Sequence, residues 1–120
     1  MNELKDKAIQ FQEYLELPAG SDPHDIIQRL EYLNVLIAQS GRCLAEAKYL
    51  QDQVVEESIK KVLADENYNM TASTLNTFVK SMAKEYNYLV NVFDRINSTA
   101  THQIDSLRSI LSYKKTEMML

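Results

Sequence analysis

The stretch that decides the fold runs from Thr71 to Lys115 and reads TASTLNTFVKSMAKEYNYLVNVFDRINSTATHQIDSLRSILSYKK. It contains neither proline nor glycine, so it predicts one unbroken helix over residues 71–115, with Thr71 or Ser73 as its N-cap. Its apolar residues recur at alternating steps of three and four, which places them on one stripe of a helix. They are Met82, Tyr86, Leu89, Phe93, Ile96, Ala100, Ile104, Leu107 and Leu111. A helix of this length spans about 60 Å, so an element of similar length has to cover the stripe.

A second long helix is predicted over residues 23–64. Asp22 and Pro23 are typical of a helix start, because the carboxylate caps the first turn and proline suits the first helical position. The apolar stripe contains Ile26, Leu30, Leu33, Ile37, Ser40, Leu44, Ala47, Gln51 and Val54, and it is widened by Ile27, Leu36, Cys43 and Leu50. Gly41 lies inside this helix, where glycine costs about 1 kcal/mol relative to alanine. It marks either a kink, which would give four helices instead of three, or a place where another helix approaches closely.

A shorter helix is predicted over residues 2–16, followed by a linker at 17–22 that contains Pro18 and Gly20. Residues 65–70 connect the two long helices. We therefore expect a single all-α domain over residues 1–120, built as a short N-terminal helix plus a long antiparallel helical hairpin. The apolar stripes are wider than a two-helix seam needs, which favours a homo-oligomeric helical bundle, most simply a two-fold dimer.

The composition sets limits on compartment and partners. With 45% hydrophobic and 25% charged residues, the chain is typical of a folded globular protein. Its formal net charge of −4 argues against a protein that coats nucleic acid. Cys43 is the single cysteine and cannot form an intramolecular disulfide, and no apolar run approaches the ~20 residues of a membrane span. We expect a cytoplasmic protein that does not bind membranes.

One face of the final helix is polar and poor in charge. Its segment Asn97–Gln103 carries hydroxyl and amide side chains, whereas solvated helix faces usually hold Glu and Lys. This pattern favours a surface that meets another helix or a small polar ligand. The candidate ligand-binding residues are Tyr88, Asn91, Arg95, Thr99, His102 and Arg108. Arginine is suited to bidentate binding of phosphate or carboxylate, and tyrosine to stacking on a base. The alternative is a polar layer between subunits that fixes their register.

The sequence gives no support for catalysis or metal binding. His102 and Asp105 are three residues apart and can meet on one helix, but such a pair is too common to identify an active site. Cys43 is an even weaker candidate nucleophile. No glutamate stands three residues before either histidine, and no cysteine pair, calcium loop or glycine-rich phosphate loop is present. We expect a protein that is not an enzyme and has no metal or cofactor.

The segment from Glu85 to Ser112 resembles the C-terminal segment of small all-helical proteins from bacteriophages and prophages. The resemblance rests on Tyr88-Leu89-Val90-Asn91, Arg95-Ile96-Asn97, Thr101-His102-Gln103-Ile104-Asp105-Ser106-Leu107-Arg108-Ser109 and, in the second helix, Leu44-Ala45-Glu46-Ala47-Lys48. Such proteins are largely of unassigned function. The resemblance implies either an inhibitor of host defence, including helical oligomers that sequester nucleotide signals, or an accessory of phage DNA replication or recombination.

Together these observations predict a non-catalytic binding protein, phage-derived and acting in the bacterial host cytoplasm. The polar face of its final helix would engage a host protein or a small anionic, nucleotide-like ligand. A structural homo-oligomeric assembly subunit is the alternative.

Overall fold

The computed structural model describes residues 1–65 and 69–119, and all regular structure in that part of the chain is helical. Four helices follow one another: α1 (Asn2–Glu16), α2 (Pro23–Leu63), α3 (Ala72–Met82) and α4 (Lys84–Met119). The expected all-α class is therefore confirmed. The molecule is a rod with extents of 78 × 24 × 17 Å. Within the described residues, no helix combines the length and the apolar character needed to cross a bilayer.

The local signals at the start of α2 act as the sequence indicates. The side chain of Asp22 accepts a hydrogen bond from the backbone N–H of His24 at 3.4 Å, and Pro23 occupies the first helical position. Lys60 and Lys61 lie in the last turn, where positive charge complements the helix dipole. α2 continues through Gly41 without interruption, so the helix does not break there and Gly41 does not add a fourth helix.

The prediction of one unbroken helix over residues 71–115 is wrong at Ala83. Thr71 caps α3 by accepting a hydrogen bond from Thr74 N at 3.1 Å, but helical geometry lapses at Ala83, whose φ is −91° and ψ is 2°. Backbone hydrogen bonds still cross this point, from Ala83 N to Val79 O and from Asn87 N to Ala83 O. α3 contains no buried residue, so core packing does not hold it in line with α4. Met82, expected on the apolar stripe, is accordingly 51% exposed.

The ends of the final helix and its preceding loop also differ from expectation. α4 continues to Met119 rather than ending at residue 115. The expected connection at residues 65–70 includes residues 66–68, which lie outside the described part of the chain.

α2 and α4 run antiparallel along the rod. Three side-chain pairs define their register: Gln51 with Asn87, Ser40 with Asn97, and Arg29 with Gln103. As the residue number falls along α2, it rises along α4. α1 packs beside this pair and runs parallel to α4. The buried core along the three helices contains Leu4, Ala8, Phe11, Ile26, Leu33, Leu36, Cys43, Ala47, Leu89, Val92, Phe93, Ile96, Ala100 and Leu107.

Candidate functional site

The most unusual buried side chain is Arg29 of α2. It lies three residues after Ile26 and four before Leu33, both fully buried, so helical periodicity carries it into the apolar stripe. Only 8% of Arg29 is exposed. Its guanidinium carbon lies 4.3 Å from the centre of the Tyr14 ring, which is cation–π geometry, and the Tyr14 ring lies 4.0 Å from that of Tyr32.

Gln103 of α4 fixes one edge of this guanidinium. Nη2 of Arg29 donates a hydrogen bond to Oε1 of Gln103 at 3.0 Å, and Nε2 of Gln103 donates to the carbonyl of Leu15 at 2.8 Å. The last carbonyls of a helix lack partners within the helix, so Gln103 satisfies one of them at the end of α1. The two bonds set the orientation of the amide, because its oxygen must face Arg29 and its nitrogen must face Leu15.

The positive charge of Arg29 is only partly compensated. Within residues 1–65 and 69–119, no carboxylate lies within the 4.0 Å of an ion pair with this guanidinium, and Nε is buried without a hydrogen-bond acceptor. Burial of a cation without a carboxylate is costly. The face of the Tyr14 ring and the negative end of the α1 dipole offset part of that cost. The charge of Arg29 is therefore one that a nearby anion would compensate.

Arg29 forms part of the wall of an open groove of about 370 Å³ between the turn after α1 and the middle of α4. We call it the Arg29 groove; it is lined by Leu17, Ala19, Arg29, Thr99, His102, Gln103, Ser106 and Leu107. Its volume falls in the range of small-molecule sites. Leu17, Ala19 and Leu107 supply apolar surface. The remaining side chains supply hydroxyl, imidazole and amide groups and a single cation, a combination suited to an anionic ligand with an apolar or planar part.

The structure distributes the six candidate ligand-binding residues over several places. Thr99 and His102 line the Arg29 groove. Arg95 lines a neighbouring groove of about 220 Å³ that shares Thr99 with it. Arg108 lines a separate groove with Asp105, Ser109 and Ser112, and Tyr88, 65% exposed, borders an apolar depression between α1 and α4.

Asn91 is exposed and lines none of these grooves. The 21 residues from Tyr88 to Arg108 extend about 30 Å along a helix, which is too far for one small ligand. The geometry therefore brings together Thr99 and His102, with Arg95 beside them, and leaves the other three candidates apart.

Sequence reasoning missed Arg29 and the turn residues Leu17 and Ala19. A signal for Arg29 was present, because it is the charged residue at stripe spacing between Ile26 and Leu33. No comparable signal marks Leu17 and Ala19. They reach the groove only because α1 folds back along α2 and α4.

The residues considered for catalysis do not share a site. His102 lines the Arg29 groove, whereas Asp105 lines the groove of Arg108. Cys43 is 2% exposed, and burial raises the pKa of its thiol, so the nucleophilic thiolate is disfavoured. In the described part of the chain, no group of three His, Cys, Asp or Glu side chains is placed to hold a metal ion.

The described residues form an all-α protein with an open groove beside the turn after α1, to which Arg29 contributes a positive charge. No family model matches the sequence, and neither a curated protein nor a solved structure matches it. The resemblance to phage proteins stays a prediction. The Arg29 groove is the structural feature that bears on function.

Proposed function

We propose that this protein is a non-catalytic binding protein whose Arg29 groove takes a small anionic ligand with a planar, nucleotide-like part. The observation that carries the proposal is the Arg29 guanidinium, which lines the groove and, among the described residues, has no carboxylate within ion-pair distance. Arginine has five N–H donors, of which Gln103 takes one. A phosphate or carboxylate in the groove would supply both the missing negative charge and further acceptors.

The other lining residues fit the rest of such a ligand. Thr99, Ser106 and His102 offer hydroxyl and imidazole groups along one wall of the groove. Leu17 and Leu107 offer apolar surface on which a base or another planar group can rest. Arg95, in the neighbouring groove, adds positive charge on the far side of Thr99. In this proposal the polar face of α4 contributes its central part, and the turn after α1 and Arg29 of α2 complete the site.

A more specific role follows if the resemblance to phage proteins holds. A nucleotide-binding groove on a helical protein would suit an inhibitor that sequesters nucleotide signals of host defence in the bacterial cytoplasm. This role belongs to the proposal and needs neither a cofactor nor catalysis.

A structural homo-oligomeric subunit is the second candidate function. The observation that favours it is the side of the α2–α4 pair that α1 leaves uncovered, where Leu30 of α2 and Ile104 of α4 are half-buried. A nucleotide site and an assembly surface are compatible, because they lie on different sides of the rod.

The test is a binding titration with defined probes, monitored by NMR chemical shifts or by calorimetry. The probes are inorganic phosphate, a nucleoside, the corresponding nucleoside monophosphate and a cyclic dinucleotide. We expect the phosphorylated probes to bind more tightly than the nucleoside. Arg29→Gln should weaken their binding about 10- to 100-fold, the equivalent of a charge-assisted hydrogen bond.

Arg108→Gln is the matched control, because it removes the same charge from a different groove of the same region. It should change the affinity less than about two-fold. Equal loss of affinity in both variants would show that binding depends on the overall charge of the protein and not on the Arg29 groove. If no phosphorylated probe binds at all, the proposal is refuted. Native mass spectrometry of protein purified gently from bacterial cells would show any retained ligand by its mass.

A further inference from the structure

α1 covers only one side of the α2–α4 pair. Its contacts reach Arg29 and Tyr32 on α2, and Glu85, Phe93 and Gln103 on α4. The residues that immediately follow Arg29 and Gln103 are Leu30 and Ile104, each rotated about 100° around its helix. That rotation places both on the opposite side of the pair, away from α1.

This opposite side carries apolar side chains repeated every seven residues on both helices. We call it the open face, and it consists of Leu30, Ile37 and Leu44 on α2 with Val90, Asn97, Ile104 and Leu111 on α4. All seven are half-buried rather than buried. A seven-residue repeat, here with three members on α2 and four on α4, is typical of helices that pack into bundles. α1 already occupies the other side, so the open face lacks the helices that would complete a bundle.

Gly41 lies on the same side, between Ile37 and Leu44. Apart from its chain neighbours and the backbone of its own helix, no atom of the described residues would lie within 4 Å of a Cβ at this position, so contacts within the described part of the chain do not require glycine. Glycine in the middle of a helix nevertheless costs about 1 kcal/mol relative to alanine. The lack of a side chain at Gly41 would allow a helix of another molecule to approach α2 closely.

We propose that the open face packs against the open face of a second copy, forming an antiparallel two-fold dimer with a four-helix core of two α2 and two α4 helices. The face is self-complementary about its middle. Ile37 and Leu44 stand on either side of Gly41, and Val90 and Ile104 stand seven residues on either side of Asn97. The hydrogen bond from Ser40 Oγ to Asn97 Oδ1, at 2.6 Å, places the two midpoints at the same level of the rod.

A two-fold axis through this level pairs Ile37 with Leu44 of the partner subunit and Val90 with Ile104 of the partner subunit. Asn97 then meets Asn97 of the partner subunit at the axis. A polar residue at one core position is a known means of fixing the register of packed helices. Gly41 lies beside the axis, where the two α2 helices approach most closely.

The open face is large enough for a dimer. Its repeat from Val90 to Leu111 is about 32 Å long, and two packed helices are about 20 Å wide. The projected area of about 600 Å² per copy, or about 1,200 Å² for the pair, reaches the lower end of the range for specific interfaces. Apart from Asn97, the candidate residues of the polar face of α4, the alternative subunit contact indicated by the sequence, are not part of the open face, and neither is the Arg29 groove.

The first test is sedimentation equilibrium of the full chain from 1 to 100 µM, with Gly41→Lys as the variant. The wild-type protein should be dimeric. Gly41→Lys should dissociate at least ten times more readily while keeping its helical circular dichroism, because the chain leaves room for a side chain there and lysine is a better helix former than glycine. Gln39→Lys, also exposed on α2, is the control and should remain dimeric.

The second test locates the axis by oxidative cross-linking. Asn97→Cys should give a disulfide-linked dimer, whereas Asn91→Cys, on the exposed polar face of α4, should not. The native Cys43 is buried and should not contribute. A wild-type monomer at 100 µM, an unaffected Gly41→Lys dimer, or cross-linking through position 91 instead of 97 would each overturn the proposal. Because Gly41→Lys leaves the Arg29 groove intact, ligand titration of this variant separates failure of the dimer from failure of the groove.

Discussion

Nη2 of Arg29 lies 3.0 Å from Oε1 of Gln103, a hydrogen bond between residues 74 positions apart in the chain. The same amide donates through Nε2 to the carbonyl of Leu15. One glutamine thus joins α1, α2 and α4 in a single polar layer next to the Arg29 groove. Because the layer is partly buried, each member depends on the others for its hydrogen bonds, and changes to them should not be independent.

Gln103→Leu is expected to lower the free energy of unfolding by about 2–4 kcal/mol, because it leaves both a donor of Arg29 and the Leu15 carbonyl without a partner. The double variant Arg29→Met with Gln103→Leu should lose about 1–3 kcal/mol less than the sum of the single changes, since the buried charge is removed together with its acceptor. Urea unfolding followed by circular dichroism measures both quantities. Strict additivity would mean that Arg29 and Gln103 do not stabilise each other.

The two glycines should respond to alanine in opposite directions. A Cβ atom at Gly20 would lie 2.7 Å from Cβ of Asp25, so Gly20→Ala has to displace the start of α2 and should cost about 1–2 kcal/mol. At Gly41 the space is open, and Gly41→Ala should add about 1 kcal/mol to the stability of the chain through helix propensity. Denaturant unfolding at submicromolar protein tests both, because association then contributes least. Destabilisation by both changes would show that α2 tolerates no added side chain at Gly41.

Cys43 should be unreactive in the folded protein. Burial raises the pKa of its thiol above the usual value of 9.0, so the thiolate that attacks labelling reagents is scarce as well as shielded. The reaction with a disulfide reagent at pH 8 should be much slower in buffer than in urea. Equal rates in the two solvents would show that Cys43 is accessible.

The raised pKa also fixes the sign of a pH effect. In the unfolded chain the thiol ionises near its usual pKa, while in the folded chain it stays protonated to higher pH. The contribution of Cys43 to stability is therefore complete below about pH 9 and is lost as the pH rises through the folded pKa. Compared with Cys43→Ala, the wild-type protein should lose more of its free energy of unfolding between pH 8 and pH 10. Parallel pH profiles of the two proteins would contradict this.

Local chemistry and periodicity account for most of the helical architecture. Asp22 and Pro23 indicate where α2 begins. Apolar residues spaced three and four positions apart identify the side chains that α2 and α4 bury against each other. These signals are local, because capping and amphipathicity depend on neighbours within a few turns. The lapse at Ala83 has no such signal. Alanine is a strong helix former, so nothing in the local sequence marks a break at Ala83.

The candidate site was only partly predictable for a related reason. The composition of the α4 polar face indicated Thr99 and His102, which do line the Arg29 groove. The same face also suggested Tyr88 and Arg108, because a helical pattern cannot show which other segments lie above each part of it. The groove forms where the turn after α1 lies against α4. These segments are far apart in the sequence, so a local pattern cannot show that they come together.

α3 should be the least protected helix in native-state hydrogen exchange. It has no buried residue, whereas α4 buries Leu89, Phe93 and Ala100 among others. Local opening of α3 therefore exposes little apolar surface, and its amides should exchange at least ten times faster than those around Phe93. Hydrogen-exchange mass spectrometry at neutral pH resolves peptides from the two helices. Phe78→Ala serves as the internal control, because removal of a half-buried side chain of α3 should speed exchange there and leave the amides around Phe93 unchanged. If α3 were instead as protected as α4, the two would open as one unit, and the lapse at Ala83 would not divide them energetically.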